Sequence, residues 1–106
     1  MSLDFYLTQD EQEVFSRNIT HNLGKMASEA GIYKVLWHPT ENGFIQAKDC
    51  IPVLSAGLIE LVTNKAKYEQ FNSPNGWGMY EHFIPFVTAV LTACSEHPEA
   101  YVKAWV

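Results

Sequence analysis

The sequence predicts an α+β domain in which a small antiparallel sheet, made of an N-terminal hairpin and a C-terminal strand, is covered on one face by three helices. Two observations carry this prediction. Apolar and polar residues alternate at both ends of the chain, which is typical of half-buried strands. Between those ends, three segments repeat apolar residues at helical spacing. With 106 residues, 47% of them hydrophobic and 18% charged, the chain is long enough for a core of its own, and we expect one domain, residues 1–106.

The N-terminal hairpin is predicted from residues 3–7 and 13–17. In the first segment, Phe5 and Leu7 occupy alternate positions, as expected of a strand with one buried face. The polar cluster at 8–11 is a candidate turn, and the second segment is then the returning strand.

The first helix is predicted to follow directly, because Asn18 and Thr20 are both good N-terminal capping residues. The apolar residues that recur here at helical spacing are Ile19, Leu23, Met26, Ala27 and Ala30. Gly31 is placed to end this helix, since glycine readily adopts the left-handed conformation found after helix C-termini. Residues 32–37 are too few to classify, and Pro39 closes that segment.

The second helix is predicted from an apolar stripe that consists of Ile51, Leu54, Leu58, Leu61 and Val62. Pro52 fits a helix only within the first turn, so this helix should begin near Lys48 or Asp49 and end near Asn64. Gly57 lies in the middle of the pattern and weakens it by about 1 kcal/mol relative to alanine.

The last helix follows a loop rich in turn residues at 71–78. Its main apolar stripe consists of Tyr80, Phe83, Ile84, Val87, Leu91 and Cys94. Pro85 lies inside the stripe and predicts a kink or a later start. A second apolar face on this helix needs a cover from the sheet, another helix or a second subunit, so the sequence leaves monomer and homodimer open. Pro98 ends the helix, and residues 100–106 alternate as the last strand.

The charge of the chain argues against nucleic acid and membranes as partners. The net charge is −5, and the basic residues are scattered, with only Lys65 and Lys67 close together. No basic stripe is available to replace the counterions of a phosphate backbone, and no segment approaches the ~20 apolar residues of a membrane span. An acidic surface instead suits a basic region of a protein partner. The N-terminal residues lack the basic and apolar stretches of a signal peptide, so we expect a cytoplasmic location.

No motif in the sequence calls for a cofactor or a metal ion. The histidines fall in no metal-ligand spacing: His21, His38, His82 and His97. Cys50 and Cys94 both lie in apolar runs, which is typical of buried free thiols rather than of a reactive thiolate. Phosphate-binding loops and the G-x-S-x-G nucleophile turn do not occur. We therefore expect no cofactor and no metal, and we favour binding over catalysis while an enzymatic activity stays open.

One constellation of side chains is a candidate binding site. His21 and Asn22 fall in the first turn of the first helix, and Trp77, Tyr80 and Glu81 lie at the start of the last. If these two helices lie side by side, aromatic rings and amides converge at one edge of the domain, where Trp and Tyr supply contact area together with a polar group. The remaining members of the predicted set are Trp37 and Asn75. The alternative is that these residues are structural, with Asn75 supplying turn geometry and Trp77 filling the edge of the core.

Three segments of the chain form distinctive blocks. Residues 18–39 read NITHNLGKMASEAGIYKVLWHP, residues 71–81 read FNSPNGWGMYE, and residues 91–100 read LTACSEHPEA. As a set, these blocks resemble a family of small uncharacterised proteins found in bacteria and in bacteriophage genomes. The resemblance implies a cytoplasmic protein, of bacterial or phage origin, and it implies no particular catalytic residue.

We therefore expect a non-enzymatic protein-interaction module that presents an acidic, aromatic-edged surface to its partner. For a phage-encoded protein, that partner would be a host defence or regulatory complex, which the module would inhibit or regulate. The alternative is a small-molecule-binding protein or a small enzyme with its pocket near His21 and Trp77.

Overall fold

The computed structural model describes residues 2–106 and confirms the α+β fold class. The strands are β1 (Ser2–Gln9), β2 (Gln12–Thr20) and β3 (Tyr101–Trp105). The helices are α1 (Gly24–Glu29), α2 (Tyr33–Trp37), α3 (Ala47–Thr63), α4 (Lys65–Glu69) and α5 (Tyr80–Glu96). Two single 3-10 turns, His21–Leu23 and Thr40–Asn42, complete the regular structure. The predicted first and second helices are thus accompanied by the short α2 and α4.

The sheet is antiparallel with the order β2-β1-β3, so both ends of the described chain pair with each other as predicted. β1 is the central strand and buries Leu3, Phe5 and Leu7 on its inner face. Helix α5 packs against β2, and α2 packs against β1 and β3. The opposite face of the sheet carries the alternate residues of each strand and is left open to solvent within residues 2–106.

The hairpin is longer than predicted because its turn contains only two residues. Asp10 and Glu11 both have positive φ, 55° and 65°, which is the conformation that lets two residues connect twisted antiparallel strands. β2 then runs to Thr20, so the predicted helix start at Asn18 is not observed. Ile19 reaches the core from the inner face of the sheet, since strand alternation buries it as effectively as a helical stripe would.

The turn after β2 retains the predicted cap. The Thr20 hydroxyl accepts a hydrogen bond from the backbone N–H of Asn22 at 3.3 Å. Gly31 follows α1 with a φ of 80° and redirects the chain into α2, as the sequence predicted for a terminating glycine.

Both long helices contain a proline beyond their first turn. α3 begins at Ala47, so Pro52 lies deeper than predicted, and α5 includes Pro85 without a later start. Each proline removes one intrahelical hydrogen bond, but both lie on exposed faces where water can bond to the freed carbonyl. Within residues 2–106, no helix is long and apolar enough to cross a membrane.

Helix α5 is covered on two sides by its own chain. Phe83 and Val87 are fully buried, and so is Val90, while Phe86 is nearly so. The apolar surplus that raised the homodimer question is therefore accommodated within one chain. The second apolar face of α5 therefore no longer argues for a homodimer, which stays a prediction.

Tyr68 connects α4 to the last residue of α1 and to α3. Its hydroxyl donates to a Glu60 carboxylate oxygen at 3.0 Å and lies 3.4 Å from the Glu29 carbonyl. The side chain is fully buried. Burial, followed by the hydrogen bond to Glu60, raises the pKa of Tyr68 to about 12.

We expect the free energy of unfolding to fall as pH rises from 10 towards 12, because the unfolded chain releases the Tyr68 proton near its ordinary pKa of 10 while the folded chain keeps it. This component of the slope is at most about 1.4 kcal/mol per pH unit. Urea unfolding of Tyr68→Phe across this range should show a correspondingly shallower slope than the wild type. The exposed Tyr101→Phe is the control. An identical slope in wild type and Tyr68→Phe would contradict this account.

Candidate functional site

An open groove of about 1070 Å³ lies between β2 and α5, and we call it the β2–α5 groove. Strand β2 contributes Arg17 and Ile19, and the following turn contributes His21 and Asn22. The loop before α5 contributes Trp77 at one end. Most of these positions come from segments distant in sequence, so only the folded chain assembles them.

The helical wall of the groove is built from one face of α5. His82, Pro85 and Ala89 line it at a spacing of three and four residues, which places them on one side of the helix. The buried Phe86 and Ile19 form part of the apolar lining. The lining of the groove therefore combines apolar side chains with polar ones such as His21 and Asn22.

The loop that carries Trp77 is held against the turn after β2. The Asn22 side-chain amide donates to the Trp77 carbonyl at 3.0 Å. Gly78 has a φ of 95°, and a β-carbon there would lie 2.7 Å from Cβ of Asn22 and 3.2 Å from its backbone carbonyl carbon. Only glycine permits this approach without displacement, because both the conformation and the space exclude a side chain.

Asparagine side chains fix the loop from within. Oδ1 of Asn75 accepts from the Ser73 hydroxyl at 2.6 Å and from the Trp77 N–H at 3.0 Å. Oδ1 of Asn72 accepts from the N–H of Tyr80 at 2.6 Å, at the first residue of α5. The Trp77 backbone is thus anchored while its side chain is 69% exposed. A large aromatic on a restrained backbone loses little entropy when it is covered by a ligand.

His21 is oriented by a buried tryptophan. The Trp37 indole N–H donates to Nδ1 of His21 at 2.7 Å, and the Trp37 ring stacks on Tyr33 with centroids 5.1 Å apart. An indole N–H can only donate, so Nδ1 carries the lone pair and the ring proton lies on Nε2. His21 lines the groove, and Nε2–H is the hydrogen-bond donor of its ring.

Replacing Trp37 by phenylalanine should remove this bond while keeping most of the aromatic packing. We expect the free energy of unfolding to fall by about 1 kcal/mol. The ¹⁵N shifts of the His21 ring should change from one tautomer to a mixture. Tyr33→Phe is the control, because it keeps the stacked ring and the Trp37 indole. Unchanged ring shifts in Trp37→Phe would show that the bond does not set the tautomer.

The structure brings part of the predicted site set together. His21, Asn22 and Trp77 line the same groove. Trp37 and Asn75 lie one hydrogen bond behind it, on His21 and on the Trp77 N–H. The indole of Trp77 does not fill the core edge, whereas Asn75 does supply turn geometry.

Tyr80 and Glu81 lie outside the lining. The Tyr80 side chain is buried, its hydroxyl donates to the Leu61 carbonyl at 2.8 Å, and burial raises the pKa of this phenol. Tyr80 therefore anchors α5 to α3. Glu81 is exposed beside His82, with a carboxylate oxygen 3.8 Å from Nε2.

Sequence reasoning missed the strand and helix positions that form the groove walls. The sequence predicts Arg17 only as the end of a shorter strand and Pro85 only as a residue of the last helix, and it does not single out Ala89. The alternation of Arg17 with Ile19 is the signal that could have placed both on the inner face of β2.

The two cysteines are buried and free, as the sequence predicted, and neither lines the groove. A hydrogen bond to Cys94, together with burial, raises the pKa of the Cys50 thiol. Such an environment disfavours a thiolate nucleophile at Cys50. Among the described residues, no cluster of three or more His, Cys, Asp or Glu side chains is arranged to hold a metal ion.

Comparisons of the chain with family models, with curated proteins and with solved structures found no match. The groove and its residues are therefore the basis on which a function can be inferred. The resemblance of the three sequence blocks to small bacterial and phage proteins stays a prediction.

Proposed function

We propose that the protein is a protein-interaction module and that the β2–α5 groove is its binding site. The observation that supports this most is the exposed Trp77 indole on an anchored backbone at one end of an apolar groove. Tryptophan is among the residues that most often dominate binding energy at protein interfaces. A restrained backbone lets the indole act as an anchor without a large ordering cost.

The shape of the groove favours a polypeptide segment over a small molecule. Its volume of about 1070 Å³ slightly exceeds the ~300–1000 Å³ typical of small-ligand pockets. The groove is open to solvent and is bordered by β2, and extended segments of partner proteins bind at exposed strand edges. A small ligand would leave much of this surface uncovered.

The charged residues in and around the groove indicate which kind of partner the module would bind. The chain as a whole carries a net charge of −5, yet no carboxylate is among the lining residues, and Arg17 is the charged side chain there. The acidic surface expected from composition thus belongs to the rest of the molecule, where it can steer a basic region of a larger partner. The sequence resemblance extends the proposal to a bacterial defence or regulatory complex as that partner, with this chain as its inhibitor or regulator.

A selection experiment tests the proposal. A random displayed peptide library is selected on the wild-type chain, and bound peptides are measured on variants that place a negative charge in the groove, Ala89→Glu and His82→Glu. Ala56→Glu, on the exposed side of α3 and outside the groove, is the matched control. We expect specific peptides to bind wild type and control and to lose binding on both groove variants, with each fold verified by circular dichroism. Failure to enrich any peptide, or equal binding to all variants, would overturn the proposal.

A second candidate is binding of a small molecule in the same groove, favoured by the donor that His21 offers beside Trp77. A ligand that binds only the native chain raises the thermal midpoint. A metabolite screen that raises the midpoint of wild type but not of Ala89→Glu would support this candidate. No shift with any metabolite would exclude those compounds as ligands.

A further inference from the structure

The free edge of β2 borders the groove. Strand β2 pairs with β1 on one side, and within residues 2–106 no strand pairs with its other side. An unpaired edge presents a row of backbone donors and acceptors to solvent. The structure specifies which residues supply them.

One hydrogen bond of β3, at the opposite edge of the sheet, shows which backbone N–H and C=O groups of each strand point towards which neighbour. The N–H of Val102 donates to the Ile45 carbonyl at 3.0 Å, so the backbone N–H and C=O groups of Val102 point away from β1. Successive strand residues point to opposite sides, so Tyr101 and Lys103 point towards β1 and bond with their partners there. The backbone groups of Leu7, opposite Val102, are therefore directed at β2.

The same alternation continues into β2. Leu7 and Phe5 face Phe15 and Arg17 across the hairpin, and these pairs exchange their backbone hydrogen bonds. Ser16 and Asn18 lie outside those pairs, so their N–H and C=O groups point to the open edge. The register irregularity of the hairpin lies between Leu7 and Thr8 and leaves this part of the strand regular.

The side chains beside this edge favour a particular chemistry. Arg17 projects from the inner face of β2 and lines the groove, and it forms no salt bridge with any described residue. Its guanidinium lies 5.5 Å from the Phe15 ring centroid. His82 lies on the opposite wall, and the lining contains no carboxylate. Nη1 of Arg17 donates to the Ser16 carbonyl at 3.5 Å. A carboxylate on a ligand would therefore meet a cation that has no salt bridge among the described residues, without repulsion from the lining.

We infer that the partner segment binds as an added antiparallel or parallel strand on β2, and that it carries an acidic side chain opposite Arg17. The inference deepens the proposed function and rests on it. Backbone groups of the segment bond to those of Ser16 and Asn18. Its alternate side chains enter the groove between β2 and α5, where Pro85 and Ala89 offer apolar contacts and Trp77 covers one end.

The peptides selected on wild type serve as the probe. We expect them to be enriched in Asp or Glu at one position and in β-branched residues around it. Methylation of backbone nitrogens at alternate positions of a selected peptide should lower its affinity by about tenfold, whereas methylation at the intervening positions should not. Amide hydrogen exchange at Ser16 and Asn18 should slow in the complex, while that at Arg17, already bonded to β1, should change little.

Charge reversal tests the acidic contact separately. Arg17→Glu should lower the affinity for acidic peptides by at least about tenfold. Lys25→Glu, at an exposed position outside the groove, should leave that affinity unchanged. Strand addition would be overturned if the affinity of bound peptides did not depend on which alternate nitrogens are methylated, and if hydrogen exchange at Ser16 and Asn18 did not slow. The proposed interaction function would not be affected by that result. Selection of Lys- or Arg-rich peptides would overturn the acidic contact. A dimer of the chain formed through β2 in the absence of peptide would replace the partner segment with a second copy.

Discussion

Replacing Gly78 by alanine should lower the free energy of unfolding by about 2–4 kcal/mol and release the loop before α5 from the turn after β2. Two costs add at this position. A φ of 95° is strained for any residue with a β-carbon, and the added carbon would meet Asn22 at 2.7 Å. Because the contact includes the Asn22 backbone, a side-chain rotation cannot relieve it.

Gly76 provides the matched control within the same loop. Its φ of 79° is similarly positive, but a β-carbon there would meet nothing within 4 Å. Gly76→Ala should therefore carry only the conformational cost of about 1–2 kcal/mol. Urea unfolding measures both values. Equal losses in the two variants would mean that contact with Asn22 does not hold the loop in place.

Replacing Trp77 by alanine should abolish most peptide binding while leaving the fold intact. The side chain is 69% exposed, so its removal should change the free energy of unfolding by no more than about 0.5 kcal/mol. An anchoring tryptophan contributes at least about 2 kcal/mol to an interface, so the affinity for selected peptides should fall by at least about 30-fold. Isothermal titration calorimetry gives the affinity directly.

Trp105→Ala is the control for this prediction, because Trp105 is a second exposed tryptophan that lies on β3 outside the groove. Its loss should leave peptide affinity within about twofold of wild type. If Trp105→Ala weakened peptide binding and Trp77→Ala did not, the groove would not be the binding site. Equal effects would point to a contact surface that includes the open face of the sheet.

Local patterns were sufficient to predict the sheet and the two long helices. Phe5 and Leu7 alternate at one end of the chain, Val102 and Ala104 alternate at the other, and each pair lies on the inner face of the observed sheet. Period-two alternation belongs to the strand itself, so it is visible without knowing the neighbours.

The segment around Ile19 shows where local reasoning ends. Ile19, Leu23 and Met26 fit a helical stripe, yet Ile19 lies in β2. A buried residue at the junction of a strand and a helix satisfies either pattern, and pairing with Leu3 decides between them. The same pairing makes β2 long enough to form one wall of the groove.

For the candidate site, the sequence by itself determined which residue types were available: the glycines and asparagines of the loop at 71–78, together with Trp77 and His21. The exposure of Trp77 and the position of His21 directly after β2 came from the structure. The sequence made the convergence of His21 with Trp77 conditional on the first and last helices lying side by side. In the structure it comes instead from the turn after β2 meeting the loop before α5. The edge of β2 that no strand pairs with within residues 2–106, the place of Arg17 in the groove and the position of Ala89 opposite them were decided only by the tertiary structure. These depend on strand order and on how α5 crosses the sheet, which are long-range contacts that no local pattern encodes.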